Sequence, residues 1–353
     1  MEFDLDDDQR ALRDAARAFL ERETPISYAR AMMDDPRGYR DDVWKKMADL
    51  GWMALPFPED SGGVGQGFVA LAILLSEMGR VVLPGPYFST VVLAGQAILE
   101  AGSEAQCKEI LPAICSGELI AAFAPDATFR VDGGSLLGEA RYVMNATTAE
   151  RFVVTTPDGM VVTTAGDPGI TVTPVQTLDT TRGTAHVRFE NVGFERLDGD
   201  PGALQRVLDR ASVGLAAEML GGAERVLELA VDYAKSRVQF DRPIGSFQAV
   251  KHRAADMHSD VESLRNAVYY AAWAIERGHP DASLAASMAK AYASDAFRRV
   301  ASSGIQVHGG IGFTWEHDMH LYFKRAKASE VAFGSADHHR ERMATLLESK
   351  YRA

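Results

Sequence analysis

The sequence predicts a chain in three parts, with helices first, β-strands in the middle and helices again at the end. In residues 6 to about 120, and again from about 202 onward, apolar residues recur at intervals of three and four, which is typical of helices packed on one face. From about 121 to 200 the pattern changes to short β-branched runs separated by Pro, Gly and Asp, which indicates antiparallel strands. Because helices and strands do not alternate, this order argues against a parallel α/β fold.

The first helical part shows its period most clearly in "ALRDAARAFL" and "VWKKMADLGWMAL". A loop rich in Pro and Gly, "PFPEDSGGVGQG", separates them from a further helix, "GFVALAILLSEMG". A glycine cluster that binds a dinucleotide follows a strand and opens a helix, whereas this cluster follows a loop. A nicotinamide-binding Rossmann domain is therefore not expected.

Four runs carry the β prediction for the middle part: "RFVVTT", "GMVVTT", "GITVTPV" and "TAHVRFENV". Their Val, Ile, Thr and Phe residues favour strands, and the residues between them favour turns. The last part is rich in alanine, as in "LAASMAKAYASDAFRRVASSG", and is predicted to be helical.

Composition excludes several classes of protein. With 46% hydrophobic and 24% charged residues, we expect a soluble globular chain of two or three domains. The formal net charge of −12 disfavours a nucleic-acid partner, and the longest apolar run, residues 68–75, is far below the roughly 18 residues of a membrane span. The start is acidic and lacks an apolar signal region, and the two cysteines, Cys107 and Cys115, lack the spacing of a zinc site. We therefore expect a cytoplasmic protein.

Two passages in the last part carry more side-chain chemistry than a helical region needs. "RVQFDRPIGSFQ" at residues 237–248 contains a helix breaker, Pro243, and "QVHGGIGFTWEHDMHLY" follows at residues 306–322. Arg237 offers a planar charged fork for two phosphates, glutamines donate and accept, and adjacent glycines let a ligand approach the backbone. Taken alone, Arg237 favours a simpler role at a helix C-terminus before Pro243. With the Gln and Phe residues around it, a nucleotide-containing cofactor is the preferred interpretation.

With these passages in place, the chain resembles the acyl-CoA dehydrogenase family over nearly its whole length. The matching stretches are "RVQFDRPIGSFQAVKHRAADM", "QVHGGIGFTWEHDMHLYFKRAKA", "WKKMADLGWMALPFPEDSGGVG" and "LSEMGR". The resemblance implies an N-terminal all-α domain at residues 1–120, a middle antiparallel β domain at 121–200 and a C-terminal four-helix bundle with the FAD motifs at 201–353. It also implies FAD as the cofactor, an acyl-CoA thioester as the substrate and a tetramer built from dimers.

The resemblance places the FAD contacts on the two passages. Arg237 would reach across a subunit interface to the FAD pyrophosphate. The other residues that it implies around the same nucleotide are Gln239, Phe240, Ile244, Phe247, Gln248, Gln306, Val307, Gly309 and Gly310. Because these residues would serve a neighbouring subunit, we expect the chain to form an oligomer.

The expected catalytic base is missing from both places where the family keeps it. Members remove the α-proton of the thioester with a carboxylate while the β-hydrogen passes as hydride to flavin N5. That carboxylate is usually a Glu followed by Gly and Thr, and the matching residues here are Phe333, Gly334 and Ser335. The alternative position on the first long C-terminal helix is Ala211, and an Arg that often follows it is Ser212. The catalytic residue is therefore left unassigned.

A second departure lies in the middle part. The family usually holds the flavin ring with passages of the Thr-Glu-Pro and Gly-Ser-Asp type, whereas this chain reads "AAFAPDATFRVDGGSLLGEA". We therefore predict that the chain keeps the half of the FAD site that crosses the interface and has lost parts of its own flavin-ring half.

Glu218 is the one other carboxylate considered as a base. It lies in the apolar stretch "LAAEMLGGAERVLELA", where burial would raise its pKa. However, it lies seven residues after Ala211, about 11 Å along a helix, which is too far to reach the same proton. A hydrogen-bonded structural carboxylate is the preferred interpretation.

The histidines of the last part raise the question of a metal. His317 and His320 stand beside Glu316 and Asp318, but no pattern places further ligands, so a solvated helix face is preferred and no metal is predicted. His338 and His339 are adjacent, cannot share one helix face, and are predicted to lie at the surface.

Three functions remain open from the sequence. The first is an FAD-dependent acyl-CoA dehydrogenase, or a subunit of one, that desaturates an acyl-CoA and passes electrons to electron-transfer flavoprotein. The second is a non-catalytic partner in a heteromeric acyl-CoA dehydrogenase, because the chain resembles the shorter, base-lacking subunits of actinobacterial steroid-degrading members. The third is a flavin monooxygenase on the same fold, which needs no base for an α-proton.

Overall fold

The protein is described by a computed structural model that covers residues 5–125, 128–132 and 134–352. The chain divides into two compact units. The first comprises the chain up to residue 26, residues 72–83 and the chain from residue 212 onward, and the second comprises residues 27–71 and 84–211.

Helices occupy both ends of the chain, as predicted. The N-terminal ones are α1 (Asp7–Glu23), α2 (Ile26–Met32), α3 (Asp41–Asp49), α4 (Gly67–Arg80), α5 (Gln96–Ala101) and α6 (Glu104–Cys115). The C-terminal ones are α7 (Ala203–Ser236), α8 (Gln248–Glu276), α9 (Ala282–His308), α10 (Met319–Val331) and α11 (Ala336–Arg352). Within the first unit, α9 packs against α8, α10 and α11, which places it at the centre of the predicted bundle.

Two of the N-terminal helices begin at capping boxes written in the sequence. The side chain of Asp6 accepts from the backbone N–H of Gln9, whose side chain accepts in return from the N–H of Asp6. Ser103 and Gln106 form the same reciprocal pair at the start of α6. Each box satisfies two backbone donors that have no partner inside the helix, which fixes where the helix starts.

The middle of the chain forms two four-stranded sheets in the second unit. Their strands are β1 (Ala121–Ala124), β2 (Arg130–Asp132), β3 (Ser135–Met144), β4 (Arg151–Thr156), β5 (Gly159–Thr164), β6 (Ile170–Val175), β7 (Thr184–Val192) and β8 (Glu195–Arg196). The orders are β1-β4-β5-β8 and β2-β3-β7-β6. The pairings are antiparallel, as predicted, except that β1 and β4 run parallel. Because β2 and β3 belong to the other sheet and lie between them in sequence, the chain has the long connection that a parallel pair requires.

The core of this β region is apolar and aromatic. The rings of Phe129, Phe152 and Phe189 are almost fully buried and meet edge to face, with centroids 5.2 and 5.7 Å apart. Edge-to-face contacts of this kind add to the stabilisation that burial itself provides.

In the first unit, α4 and α7 cross at backbone contact. A Cβ added at Gly221 would lie 1.7 Å from the carbonyl oxygen of Ser76, and one added at Gly79 would lie 1.9 Å from that of Glu218. Glycine is therefore required at both positions, and the crossing fixes the place of Glu218 on α7.

No helix in the described part of the chain is long and apolar enough to cross a membrane.

Candidate functional site

The first of the two passages forms a hairpin directly after α7. Residues Val238–Gln239 (β9) pair antiparallel with Arg242–Pro243 (β10), and the two turn residues, Phe240 and Asp241, both have positive φ, 54° and 61°. Such a two-residue turn matches the twist of the paired strands, but it is usually made by Asn and Gly because larger side chains are strained there. A strained turn at this point indicates a conformation that the surrounding structure holds in place.

Two contacts anchor the hairpin to the end of α7. The backbone N–H of Ile244 donates to the carbonyl oxygen of Arg237 at 2.8 Å. Gly245 lies so close to α7 that an added Cβ would be 2.9 Å from the carbonyl oxygen of Ala234. Pro243 and Gly245 therefore allow the chain to turn back closely against the end of α7.

The hairpin presents its side chains to solvent. Phe240 is 86% exposed, and Arg237, Gln239 and Gln248 are exposed as well. Within the described residues, the guanidinium of Arg237 has no ion-pair partner, so its charge is available to a ligand. Phe247, half-buried below the tip, meets Phe240 edge to face at 6.0 Å.

The second passage begins where α9 ends at His308. Gly309 has a positive φ of 65°, and a short 3-10 segment covers Gly309–Phe313. A Cβ added at Gly309 or Gly310 would meet no atom within 4 Å, so the backbone there borders open space. Gln306 is exposed to solvent, whereas Val307 is only 8% exposed and belongs to the core.

The fold brings the two passages together at one end of the first unit. Tyr233, in the last turn of α7, stacks on His308 with ring centroids 4.5 Å apart. The backbone N–H of Arg237 donates to the carbonyl oxygen of Tyr233 at 2.8 Å. An exposed cation and an open glycine pair thus border the same aromatic stack. This arrangement suits a ligand with phosphate groups and a flat ring, as FAD has.

The turn that matches the family's base position lies between α10 and α11 and carries no carboxylate. Phe333 adopts a positive φ of 57°, and Gly334 follows with 104°. The φ of 104° at Gly334 lies in a region that side chains other than glycine rarely adopt, so the turn favours glycine. The second position, Ala211, is fully buried, and Ser212 is buried beside it.

Two buried residues hold this turn, and sequence reasoning missed both roles. Lys290 on α9 is fully buried and donates to the carbonyl oxygens of Gly334 at 3.0 Å and Glu330 at 3.3 Å. His339 on α11 places Nε2 at 3.0 Å from the carbonyl oxygen of Phe333. Burial lowers the pKa of Lys290 to about 8 and is the main cause that lowers the pKa of His339 to about 4.

The prediction that His338 and His339 both lie at the surface is wrong for His339. His338 is exposed, but His339 is only 2% exposed because the turn after α10 folds over it. A lone Lys at position 290 within an alanine-rich stretch is the sequence signal that could have pointed to this buried cluster.

Glu218 is paired rather than free. Its carboxylate accepts from the guanidinium of Arg325 on α10 at 2.5 Å, and both side chains are buried. A buried carboxylate that is paired with a buried cation contributes to the structure and is not available as a free base.

The histidines of the second passage take part in ring contacts. The ring centroids of His317 and His308 are 4.6 Å apart. His320 is buried and stacks on Trp315, with ring centroids 4.8 Å apart. The predicted solvated face is therefore wrong for His320, because the chain folds Trp315 over it. Among the described residues, no group of three His, Cys, Asp or Glu side chains is arranged to hold a metal.

The segment expected to hold the flavin ring forms β1, β2 and β3. Residues 126, 127 and 133 of that passage lie outside the described residues. In the described part, Thr128 donates to the carbonyl oxygen of Glu139 at 2.6 Å, and Phe129 is buried in the core. The predicted loss of the flavin-ring half stays a prediction.

Comparison with known proteins places the chain in one family. The family model described as acyl-CoA dehydrogenase, N-terminal domain, matches residues 6–118, and that of the C-terminal domain matches residues 201–347. The chain is 36% identical to acyl-CoA dehydrogenase IpdE2 of Mycobacterium tuberculosis, with 92% of each chain covered. It is 33% identical to acyl-CoA dehydrogenase FadE27 of the same organism, with 84% of this chain and 85% of the relative covered.

Solved structures agree over nearly the full length. The ChsE4-ChsE5 complex from Mycobacterium tuberculosis contains a chain of 29% identity that matches with a TM-score of 0.91 over 99% of both chains. A variant of the steroid ACAD Tcur3481-Tcur3483 matches at 30% identity and a TM-score of 0.90, covering 98% of this chain and 99% of the other.

The fold and these matches identify a flavin-dependent oxidoreductase acting on CH–CH groups. The chain belongs to the acyl-CoA dehydrogenase family. Membership confirms the predicted fold, FAD as the cofactor and the predicted function of an acyl-CoA dehydrogenase or a subunit of one.

Proposed function

We propose that this chain is the base-lacking subunit of a heteromeric FAD-dependent acyl-CoA dehydrogenase. In this proposal, it binds FAD through its two passages while a partner chain supplies the carboxylate that removes the α-proton. The single observation that carries the proposal is the combination, in one chain, of an exposed Arg237 with no ion-pair partner among the described residues and an uncharged Phe333 in the family's base position. FAD held by the two passages would supply the hydride acceptor for the β-hydrogen.

The binding half rests on the geometry of the first unit. The guanidinium of Arg237 would hold the pyrophosphate, because a permanently charged fork forms paired hydrogen bonds to phosphate oxygens. The open backbone at Gly309 and Gly310 would admit the nucleotide closely. The residues that would complete this half are Gln239, Phe240, Ile244, Phe247, Gln248, Gln306 and Val307.

The exposed hairpin supports an assembly. A Phe240 that is 86% exposed on a strained turn is costly in an isolated chain, and burial against a second subunit would remove its apolar surface from water. Two similar structures carry paired names, the ChsE4-ChsE5 complex and the steroid ACAD Tcur3481-Tcur3483. We therefore propose a tetramer that contains a second acyl-CoA dehydrogenase-like chain and acts on a lipid or steroid acyl-CoA.

Further parts of the proposal follow from the family. Electron-transfer flavoprotein is proposed as the acceptor, and one similar structure, at 28% identity, is of an electron transferring flavoprotein of Acidaminococcus fermentans. The division into domains at 1–120, 121–200 and 201–353 and the cytoplasmic location also remain proposals.

The absence of a catalytic base should lower the reaction rate by a predictable factor. General-base catalysis typically contributes about 10²- to 10⁴-fold, and the base must lie about 3 Å from the proton. Neither Phe333 nor Ala211 can take a proton, and Glu218 is occupied by Arg325. A site formed by this chain alone should therefore desaturate an acyl-CoA slowly or not at all.

Substitution of Arg237 tests the binding half. Arg237→Ala in the assembled oligomer should lower FAD occupancy while circular dichroism shows unchanged helical content. The matched control is Arg277→Ala, an exposed arginine just after the far end of α8, which should leave occupancy unchanged. Equal occupancy in both variants would contradict the pyrophosphate contact.

Co-expression tests the catalytic half. A partner chain that retains the family's Glu should restore stable flavin and turnover, and its Glu→Gln variant should abolish turnover with FAD still bound. Full turnover by this chain without any partner would contradict the proposal.

A further inference from the structure

Three packed rings, called the stack here, join the two passages proposed to contact FAD: Tyr233 and His308 are stacked, and His317 is tilted against His308. Tyr233 and His308 are nearly parallel, with centroids 4.5 Å apart and planes inclined by 25°. His317 approaches the stack from the second passage, with its centroid 4.6 Å from that of His308. The three rings come from the end of α7, the end of α9 and the segment before α10, so the stack ties three separate stretches of the chain.

His308 is fixed at the centre of the stack. Its Nδ1 lies 2.7 Å from the carbonyl oxygen of Gly304, and the residue is only 5% exposed. Because a carbonyl oxygen only accepts, Nδ1 carries the proton. Burial holds the pKa of His308 below its usual value, so the ring is neutral near pH 7.

The glycine segment is folded back onto the same ring. A Cβ added at Gly312 would lie 3.0 Å from Cβ of His308 and 2.8 Å from the carbonyl oxygen of Ile305. On the other side of the stack, His317 Nδ1 accepts from the backbone N–H of Met319 at 3.2 Å. The path of residues 309–319 is thus set around His308.

The stack sits directly beside the residues proposed to contact FAD. Tyr233 accepts at its carbonyl oxygen from the N–H of Arg237, and His308 precedes Gly309 in the chain. A shift of either ring would therefore move one passage relative to the other.

We propose that Tyr233, His308 and His317 are positioning residues that hold Arg237 and Gly309 at the mutual placement required to bind one FAD molecule. The inference rests on the proposed function in that both passages contact FAD. It goes beyond it by assigning a role to three side chains that need not touch the cofactor.

The test measures the dissociation constant of FAD for the assembled oligomer, by titrating the flavin-free assembly and following flavin fluorescence. His308→Ala and Tyr233→Leu should each weaken binding about tenfold, the upper range for loss of one aromatic pair. His308→Phe keeps a flat ring and should restore most of the affinity. His258→Ala is the control, because that imidazole is exposed on α8, and it should leave the affinity unchanged.

A second measurement separates positioning from general stability. If the stack acts by placing Arg237, His308→Ala should weaken FAD binding much less in a chain that already carries Arg237→Ala than in the wild type. The reason is that the free-energy effects of two coupled substitutions do not add. An equal loss in both backgrounds would overturn the proposal.

The two levels of inference fail in different ways. Normal affinity of His308→Ala together with weakened binding by Arg237→Ala would overturn the positioning role and leave the proposed function intact. Normal affinity of both variants would overturn the proposed function. If His308→Ala does not fold, Tyr233→Leu and His308→Phe decide the question by the same criteria.

Discussion

Lys290 lies fully buried beneath Gly334, and its ammonium donates to the Gly334 carbonyl oxygen at 3.0 Å. The same group donates to Ser294 Oγ at 2.8 Å and to the carbonyl oxygen of Glu330 at 3.3 Å. The turn at the family's base position contains Phe333 and Gly334 and is held by a buried lysine from another helix. It carries no carboxylate.

Lys290→Met should destabilise the protein substantially. The substitution keeps the apolar stem but removes the donor to the Gly334 carbonyl oxygen, at about 1–3 kcal/mol, whereas the Glu330 carbonyl oxygen still accepts from Ser294 Oγ. Urea unfolding of the variant should show a lower midpoint with an unchanged slope. Lys251→Met, on the exposed start of α8, is the control and should change the free energy of unfolding by less than about 0.5 kcal/mol. A free energy of unfolding equal to that of the wild type would show that the hydrogen bonds of Lys290 to the turn do not stabilise the protein.

His339 should make the protein sensitive to acid. Its pKa is lowered from 6.5 to about 4, chiefly by burial, so the folded state binds the proton more weakly than the unfolded chain does. Stability is then fully present above about pH 6.5 and is lost as the pH falls toward 4, by up to about 3 kcal/mol. The measurement is the difference in unfolding free energy between the wild type and His339→Gln across pH 4–7. A difference that does not change with pH would refute the assignment.

Much of the secondary structure could be read from the sequence, and the reason is visible in particular strands. The runs "RFVVTT", "GMVVTT" and "TAHVRFENV" coincide with β4, β5 and β7 to the residue, because turn residues bound each β-branched run. β1 and β3 were missed because "AAFA" and "SLLGEARYVM" lack that composition. The fully buried π-helix at Phe88–Gly95 was also missed, since an apolar run of this kind has no helical face to detect.

The parts of the site that depend on the type of side chain could be predicted from the sequence. The parts that depend on tertiary contacts could not. Arg237 and Gly309 stood out by sequence, and the structure places them beside one stack. The hairpin turn at Phe240 has no Asn-Gly signal, so its positive φ was invisible. The contacts of Lys290 join it to Glu330 and Gly334, 40 and 44 residues away, so its partners could not be read from the local sequence. His339 contacts the carbonyl oxygen of Phe333, six residues before it, and this contact depends on how the turn folds.

Glu218→Gln should reduce stability and spare activity. The substitution keeps the volume of the side chain but removes the negative charge of Glu218 from its buried pair with Arg325, at about 3 kcal/mol. Turnover of the assembled enzyme, measured at a temperature where the variant is folded, should stay within about threefold of the wild type. A loss of several orders of magnitude with FAD still bound would instead make Glu218 the base.

Gly221→Ala should disrupt the crossing of α4 and α7. The added methyl would lie 1.7 Å from the carbonyl oxygen of Ser76, so the helices must separate, at about 3 kcal/mol or more. Thermal unfolding should show a clear drop in midpoint. Gly166→Ala introduces the same methyl where no atom lies within 4 Å and should be nearly neutral. Equal midpoints for the two variants would contradict the close crossing.

The most direct test of the central claim is the ratio of FAD to protein chains in the purified assembly, measured together with turnover. If this chain contributes Arg237 to a flavin site that a partner completes, the assembly should hold one FAD for every two chains, and Arg237→Ala should lower that ratio. The chain purified alone should hold little FAD and show no desaturation of an acyl-CoA. One FAD per chain in the isolated protein, with full turnover, would contradict the account.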